Sequence, residues 1–375
     1  MPCPSELTQS LKSEARRLGF ALASCTPAVD VVTMPHLESW LDANMHGEME
    51  YMQTRRDAYR HPRSVMESVV SVVVLALPYQ TVDPVTDRPL SGRIARYAWG
   101  AGDYHDIIHK RLKQLCRFAQ TLGEDIITRG VVDTAPLLER EFAQKAGVGW
   151  AAKNTMIINR EIGSYFFLAA LLVNQPLQYD TPFEADHCGT CTACLDACPT
   201  DAFVSPKVLD ANKCISYLTI EHRTPIDVSL RPQMGSWILG CDICQEVCPW
   251  NRKSESVGES VFEPVEELNP LSLVDLFDLT DEEFRARFRK TPLWRPKRRG
   301  ILRNAAIALG NEANPSAVSA LGKGLNDDEP LVRGASAWAL LQIGSSDAKE
   351  QLQRREPIEE DGYVLSEIRG TYASN

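Results

Sequence analysis

No stretch of this 375-residue chain is apolar for long enough to cross a membrane. The longest hydrophobic runs, 69–77 and 165–173, fall well short of the roughly 18 residues a spanning helix needs. No positively charged leader followed by an apolar core opens the sequence, so a cytoplasmic protein without membrane attachment is expected. There is no P-loop, and nucleotide hydrolysis is not implied. Gly147-Val-Gly149-Trp-Ala-Ala152 formally fits a dinucleotide fingerprint, but it follows an expected helix instead of a strand and lacks a βαβ setting. Positive charge is in the minority, 40 Lys and Arg against 50 Asp and Glu. Length alone suggests about two domains, and 44% hydrophobic content can fill real cores.

Cysteine is what the chain does have. Cys188, Cys191, Cys194 and Cys198 stand in C-x₂-C-x₂-C-x₃-C-P, the ligand run of two-cluster ferredoxins, in which the last thiolate serves the neighbouring cluster. Cys241, Cys244 and Cys248-Pro249 repeat the spacing with Ile238 at the first position, and Cys214 can replace the missing thiol. By the crossover rule Cys188, Cys191, Cys194 and Cys248 hold one 4Fe–4S cluster, and Cys198, Cys214, Cys241 and Cys244 the other. Zinc would not need this spacing twice, and disulfides suit small secreted domains. Cys3, Cys25 and Cys116 are scattered and are expected to be reduced thiols.

The acidic balance reverses locally. From 285 to 299 there are eight basic residues and no acidic one, with Phe288 and Trp294 interleaved. A solvated helix face normally mixes signs; a basic aromatic stretch on an acidic protein suits a polyanion. Two related segments then follow at a 30-residue offset, from Leu302-Arg303 and from Val332-Arg333, each continuing with small residues. They read as HEAT-type helical repeats, and two copies must dock on the rest of the protein to bury their faces.

Upstream, helices and strands alternate. Helices are expected over 5–18, 105–122 and 136–146, and strands over 69–77, 126–132 and 165–173. The expected architecture is an α/β domain over 1–180, a ferredoxin-like two-cluster module over 181–252, and a linker (252–260) leading into an all-α HEAT-like domain within 253–375. Asp133 falls where a strand ends before a helix. Two roles are open to it: an acid at the edge of the sheet, or a cap for a helix starting at Pro136.

Several motifs together carry a family resemblance: Val131-Val132-Asp133 with Glu139-Arg140, Gly149-Trp150-Ala-Ala-Lys153-Asn154-Thr155, Gly163-Ser164-Tyr165, Cys214-Ile-Ser-Tyr217-Leu-Thr-Ile-Glu221, and Cys248-Pro-Trp250-Asn251. Nearly the whole chain resembles the epoxyqueuosine reductases. Ala152 stands where Gly is usual, and His61 where Asp often precedes Pro. The resemblance implies a cobalamin-dependent enzyme that reduces the epoxide of epoxyqueuosine at the tRNA wobble position to the alkene of queuosine. It implies Asp133 as proton donor, with burial against the corrin keeping it protonated. It also implies Arg60, Tyr97, Asp103, His105, Lys153, Asn154, Ser164, Tyr165 and Tyr217 around the cofactor. Glu221, Arg295, Lys297, Arg298, Arg299 and Arg303 are expected on the tRNA side. Asp103-Tyr-His105 resembles the start of a cobalamin-binding D-x-H-x-x-G motif, but Ile108 replaces the Gly, so His105 is not expected to ligate cobalt. The expected partners are tRNA carrying epoxyqueuosine and a low-potential electron donor, and the expected state is a monomer. Two other readings use parts of the same pattern: a dehalogenase-like corrinoid iron–sulfur reductase, which would need neither the basic tail nor the repeats, and a two-cluster electron carrier, which would need no Asp133.

Overall fold

The computed structural model describes residues 2–86, 88–254 and 258–371. Its first region is built on a four-stranded sheet in the order Leu22–Pro27, Ser71–Pro78, Phe166–Val173, Thr128–Val131. Every neighbouring pair is antiparallel. Helices and strands alternate along the chain as expected, but strand direction was not readable from that order. Ser71–Pro78 is buried at all eight positions because it feeds two cores. Val73, Leu75 and Leu77 pack under the helices Pro4–Arg17 and Tyr104–Thr121. Val72, Val74 and Ala76 face Phe142, Ala143 and Ala146 on the opposite side. The period-2 alternation of a strand covered on both faces explains an uninterrupted apolar run.

A smaller sheet ties the segments together. Ser91–Ile94 pairs in parallel with Trp237–Leu239 and antiparallel with Leu271–Ser272. One apolar core therefore runs from Ile94 and Trp99 through Ile215, Leu218 and Ile238 into Leu302, Ala306 and Trp338 of the C-terminal helices. The repeat helices Lys297–Glu312 and Pro330–Ile343 are buried along most of their length, as two copies docked on a body require. Of the linker expected at 252–260, residues 255–257 lie outside the described residues. No helix among the described residues is long and apolar enough to cross a membrane.

The helix expected from Pro136 begins at Glu139, with Leu138 at its N-cap. Asp133 is six residues upstream and does not cap it. Instead it centres a three-residue turn closed by Thr134 N–H donating to the Val132 carbonyl (2.6 Å), with φ +56°. Such turns are rare and strained for a residue with a side chain.

Candidate active site and iron–sulfur centre

The eight cysteines of the two runs fall into two groups in space. Burial raises the Cys194 thiol, and Cys188, Cys248 and Cys191 add to the shift. The Cys248 thiol, also raised first by burial, feels Cys188 and Cys191. On the other side Cys241 is raised by burial with Cys244 and Cys214 beside it, while Cys214 feels Cys198. Cys244 senses Cys214, Cys198 and also Cys194, which marks where the two groups adjoin.

Both groups fit a cluster. Cys214 and Cys248 sit at the N-caps of short helices, Ile215–Ile220 and Pro249–Lys253, whose first N–H groups turn toward sulfur. Ala202 N–H donates to Cys198 Sγ at 3.4 Å. Trp150 packs with Cys188 and Cys248, and its buried Nε1–H finds no acceptor among the described residues. Such a donor suits an inorganic sulfide, since hydrogen bonds to cluster sulfur are a normal part of these sites.

Lys153 and Asn154 lie against the cysteine loops. Lys153 Nζ donates to the carbonyls of Gly189 and Cys191 (2.7 and 2.9 Å). Asn154 Nδ2 donates to the Cys244 carbonyl at 3.1 Å. The two neighbours brace one cysteine loop each. Ser164 is buried and bonded to Asn251 and Gln245. Tyr165 is 2% exposed, with the Arg96 guanidinium 5.1 Å from its ring centroid. Tyr217 accepts from Glu48 N–H (2.6 Å) and sits against Gly47, where an added Cβ would lie 2.3 Å from its hydroxyl. Arg60 pairs with Glu38 and Asp57. All six side chains make these contacts within the protein.

What the chain does gather is a cleft around Asp133. Asp103 caps the helix Tyr104–Thr121 and accepts from His105 twice, from its backbone N–H (2.9 Å) and at Nδ1 (2.7 Å). His105 Nε2 meets Asp133 Oδ2 at 3.0 Å. Tyr104 stacks on Phe167 (4.2 Å, 9°), and the Tyr97 ring stands edge-on to it at 5.8 Å. Gly240, beside Cys241, approaches Tyr97 so closely that an added Cβ would lie 3.2 Å from its ring. Tyr97 therefore bridges the cleft and the second cysteine group.

In the protein alone the charges run opposite to one expectation for the corrin-bound site. Asp133 is held below the usual carboxylate range, first by its hydrogen bond with His105, which outweighs burial. Burial opposes charge on His105, and the N-terminus of a helix opposes it further, by about 0.3–1 kcal/mol. Hydrogen bonds to two carboxylates, each worth roughly 1.5–3 kcal/mol, win, and its pKa rises to about 9. In the protein alone these shifts favour the proton on His105 over Asp133. Both imidazole nitrogens are taken, so His105 has no lone pair for cobalt. Glu139, which accepts from Asp133 N–H at 3.1 Å, is pushed up to about 8 by burial and by the Asp133 charge. Sequence reasoning left Glu139, Arg140 and Tyr104 without roles, although all three sit inside or beside the quoted motifs.

The basic run divides. Arg303 is 1% exposed, and its donors reach the carbonyls of Leu218, His222 and Thr224. It is a buried strut with nothing left for a phosphate. Arg298 is bound to Asp327 (2.7 Å) and the Leu279 carbonyl. Arg295 is more than half exposed and forks onto Glu221 (2.9 and 3.0 Å). Lys297 lies 4.0 Å over the Trp294 ring, and Arg299 is exposed. Burial and then Arg223 and Arg295 depress Lys297, so these cations share one patch. Arg295 is near enough to help hold Asp133 ionised. The patch forms the rim of the cleft.

A two-cluster iron–sulfur module joined to an acid-bearing cleft and a helical-repeat tail defines an iron–sulfur oxidoreductase. Residues 187–251 match the 4Fe-4S double cluster binding domain, and residues 298–369 match HEAT repeats. Residues 60–134 match Epoxyqueuosine reductase QueG, DUF1730. The epoxyqueuosine reductase of Pseudomonas aeruginosa is 41% identical over 350 residues, covering 92% of this chain and 97% of that protein. A crystal structure of an epoxyqueuosine reductase with an epoxyqueuosine-modified tRNA-Tyr stem loop is 32% identical, with TM-score 0.90 and 98% of each chain covered. The Bacillus subtilis enzyme, in a structure with its catalytic loop swung out of the active site, is 31% identical, with TM-score 0.89 and 98% of each chain covered. This chain belongs to the epoxyqueuosine reductase family.

Proposed function

We propose that the Asp133 cleft reduces the epoxide of epoxyqueuosine in a tRNA anticodon to the alkene of queuosine. The observation that carries this is one juxtaposition: a carboxylate on a strained turn, a cationic rim reaching it through Arg295, and cluster-spaced thiols behind Tyr97.

The reaction takes two electrons and two protons and releases water. No side chain is a low-potential two-electron donor, so a cofactor carries that part. Cobalamin, which the family resemblance implies, supplies strongly reducing cobalt when bound. The cleft suits it: tyrosine rings, mixed donors and acceptors, and no free imidazole. Tyr97, Tyr104 and Arg140 are the side chains beside Asp133 that the cleft offers to it, with Lys153, Asn154 and Ser164 added by the family resemblance.

The chain's own work is binding and proton handling. Arg223, Arg295, Lys297 and Arg299 hold anticodon phosphates, and a splayed base enters beside Asp133. Asp133 protonates the departing oxygen. Electrons enter from an external low-potential donor at the group of Cys188, Cys191, Cys194 and Cys248, where Cys191 is exposed, and leave from the deeper group. A tRNA substrate puts the enzyme in the cytoplasm, and one chain holds all these parts, so it acts as a monomer. The direct test is anaerobic purification and reconstitution, then nucleoside analysis of an epoxyqueuosine-bearing stem loop. Queuosine formation dependent on corrinoid and about eight iron per chain, as two 4Fe–4S clusters require, is expected. Protein that binds the stem loop but never converts it would refute the reading.

A further inference from the structure

Asp133 is ionised in the free protein, so an acid that must give a proton has none of its own to give. We propose that the Asp103–His105 pair is the proton store of the reaction, recharging Asp133 each time it protonates the substrate oxygen. The proposal rests on the reading of Asp133 as the acid.

The geometry is a line of three groups: Asp103 Oδ1 to His105 Nδ1 at 2.7 Å, and His105 Nε2 to Asp133 Oδ2 at 3.0 Å. Asp103 is fixed as a helix cap, and its second bond, from the His105 backbone N–H, locks the spacing between the two residues. Tyr104 stacks on the imidazole (4.0 Å, 27°) and holds its plane, while its hydroxyl reaches Asp133 Oδ2 at 3.4 Å. The other charged groups near the line are Glu139 and Arg140 from the following helix, His109 one turn along, and Arg295 from the rim. With His105 protonated to about 9, the store is full at neutral pH.

Each pass breaks an N–H bond of His105 and forms an O–H bond on Asp133, while the Asp133 proton goes to the substrate oxygen. His105 is left neutral and Asp133 ionised. The first pass turns the opened epoxide oxygen into a hydroxyl. His105 then takes a proton from solvent, to which 28% of its side chain is open. The second pass releases that hydroxyl as water, and the two electrons come from the bound cofactor. Two protons and two electrons thus balance an epoxide against an alkene and water.

The test compares reconstituted wild type, His105→Gln, Asp103→Asn and Asp133→Asn in single turnovers of the modified stem loop between pH 5.5 and 9.5. Iron and corrinoid contents are measured on each. Glutamine can still donate to Asp133 but cannot carry the extra proton. The wild-type rate should hold until it falls through about pH 9. In His105→Gln that fall should move to lower pH, with a deficit of about 10²-fold at pH 8, the scale of general-acid loss, that shrinks toward pH 5.5. Asp103→Asn should move the fall in the same direction by less. A uniform loss at every pH, with the fall unmoved, would make His105 a positioning residue only and overturn the store. If His105→Gln loses its metals, Asp103→Asn decides by the same criterion. Near-normal Asp133→Asn would sink the acid itself, a separate failure that this variant alone reports.

Discussion

Asp133 combines a backbone that side chains avoid with a charge that its role does not want. A φ of +56° costs on the order of 1 kcal/mol or more and aims the carboxylate away from the sheet end, toward His105 and the rim. Asp133→Asn keeps the shape and should retain both clusters and corrinoid, yet turn over at least ~10²-fold more slowly; normal turnover would return it to a structural turn. The His105 pair also predicts a pH-dependent stability. His105 is raised, so its contribution is complete below its ordinary range near 6.5 and lost as pH climbs through about 9. Asp133 is lowered, so its contribution is present above its ordinary 3.8 and lost as pH falls below that. Thermal melting of wild type and His105→Gln should therefore differ most near pH 5–6 and converge above pH 9. An equal gap at both ends would mean the charges are not coupled. Arg303 belongs to the same scale with the opposite lesson. Truncating it to Ala leaves the carbonyls of Leu218, His222 and Thr224 without their donor, and a loss of about 1–3 kcal/mol is expected, read as a lowered melting temperature with unchanged tRNA salt dependence in whatever folds.

Among the elements, the hairpin of Trp150–Ala151 and Ile157–Ile158 is small but consequential, because its turn presents Lys153 to one cysteine loop and Asn154 to the other. Lys153→Ala should lower iron retention at the exposed group first, seen as selective loss of one cluster signal on dilution. Loss of both signals together, or of neither, would deny that division of labour. This hairpin also marks the limit of what the sequence reveals. Cysteine spacing, the buried strands and the repeat helices were legible because each pattern is local: a fixed ligand interval, an apolar run, small residues at helical spacing. The contacts of Lys153 and Asn154 with the cysteine loops were not, since those partners lie 36 to 90 residues away and no periodicity announces them. Arg303 misled for a related reason. It continues a basic run, yet it occupies the position of Arg333 in the second repeat, and both are folded inward onto carbonyls. Repeat position outweighed charge pattern. Asp133 was marked only by resemblance, for the strand-end alone favoured a helix cap.

For the whole molecule, the cations that stay free of buried partners decide how tRNA is held. Replacing Arg295, Lys297 and Arg299 with Gln should weaken binding of the stem loop and reduce the log–log salt slope by ~2–3, given about 0.7–0.9 per phosphate contact. Iron and corrinoid contents should not change, and an unaltered slope would move the nucleic-acid site elsewhere. The small sheet sets a different limit. A chain written as three successive segments invites treatment as three cassettes to be swapped between relatives. Ser91–Ile94 forbids it: a strand from the first segment is the middle member between a strand of the second and a strand of the third. A piece beginning at residue 181 would leave both outer strands without their shared neighbour and open the core at Ile238 and Leu273. A chain split near residue 180 is thus expected to regain its fold only when both halves are made together and find each other again.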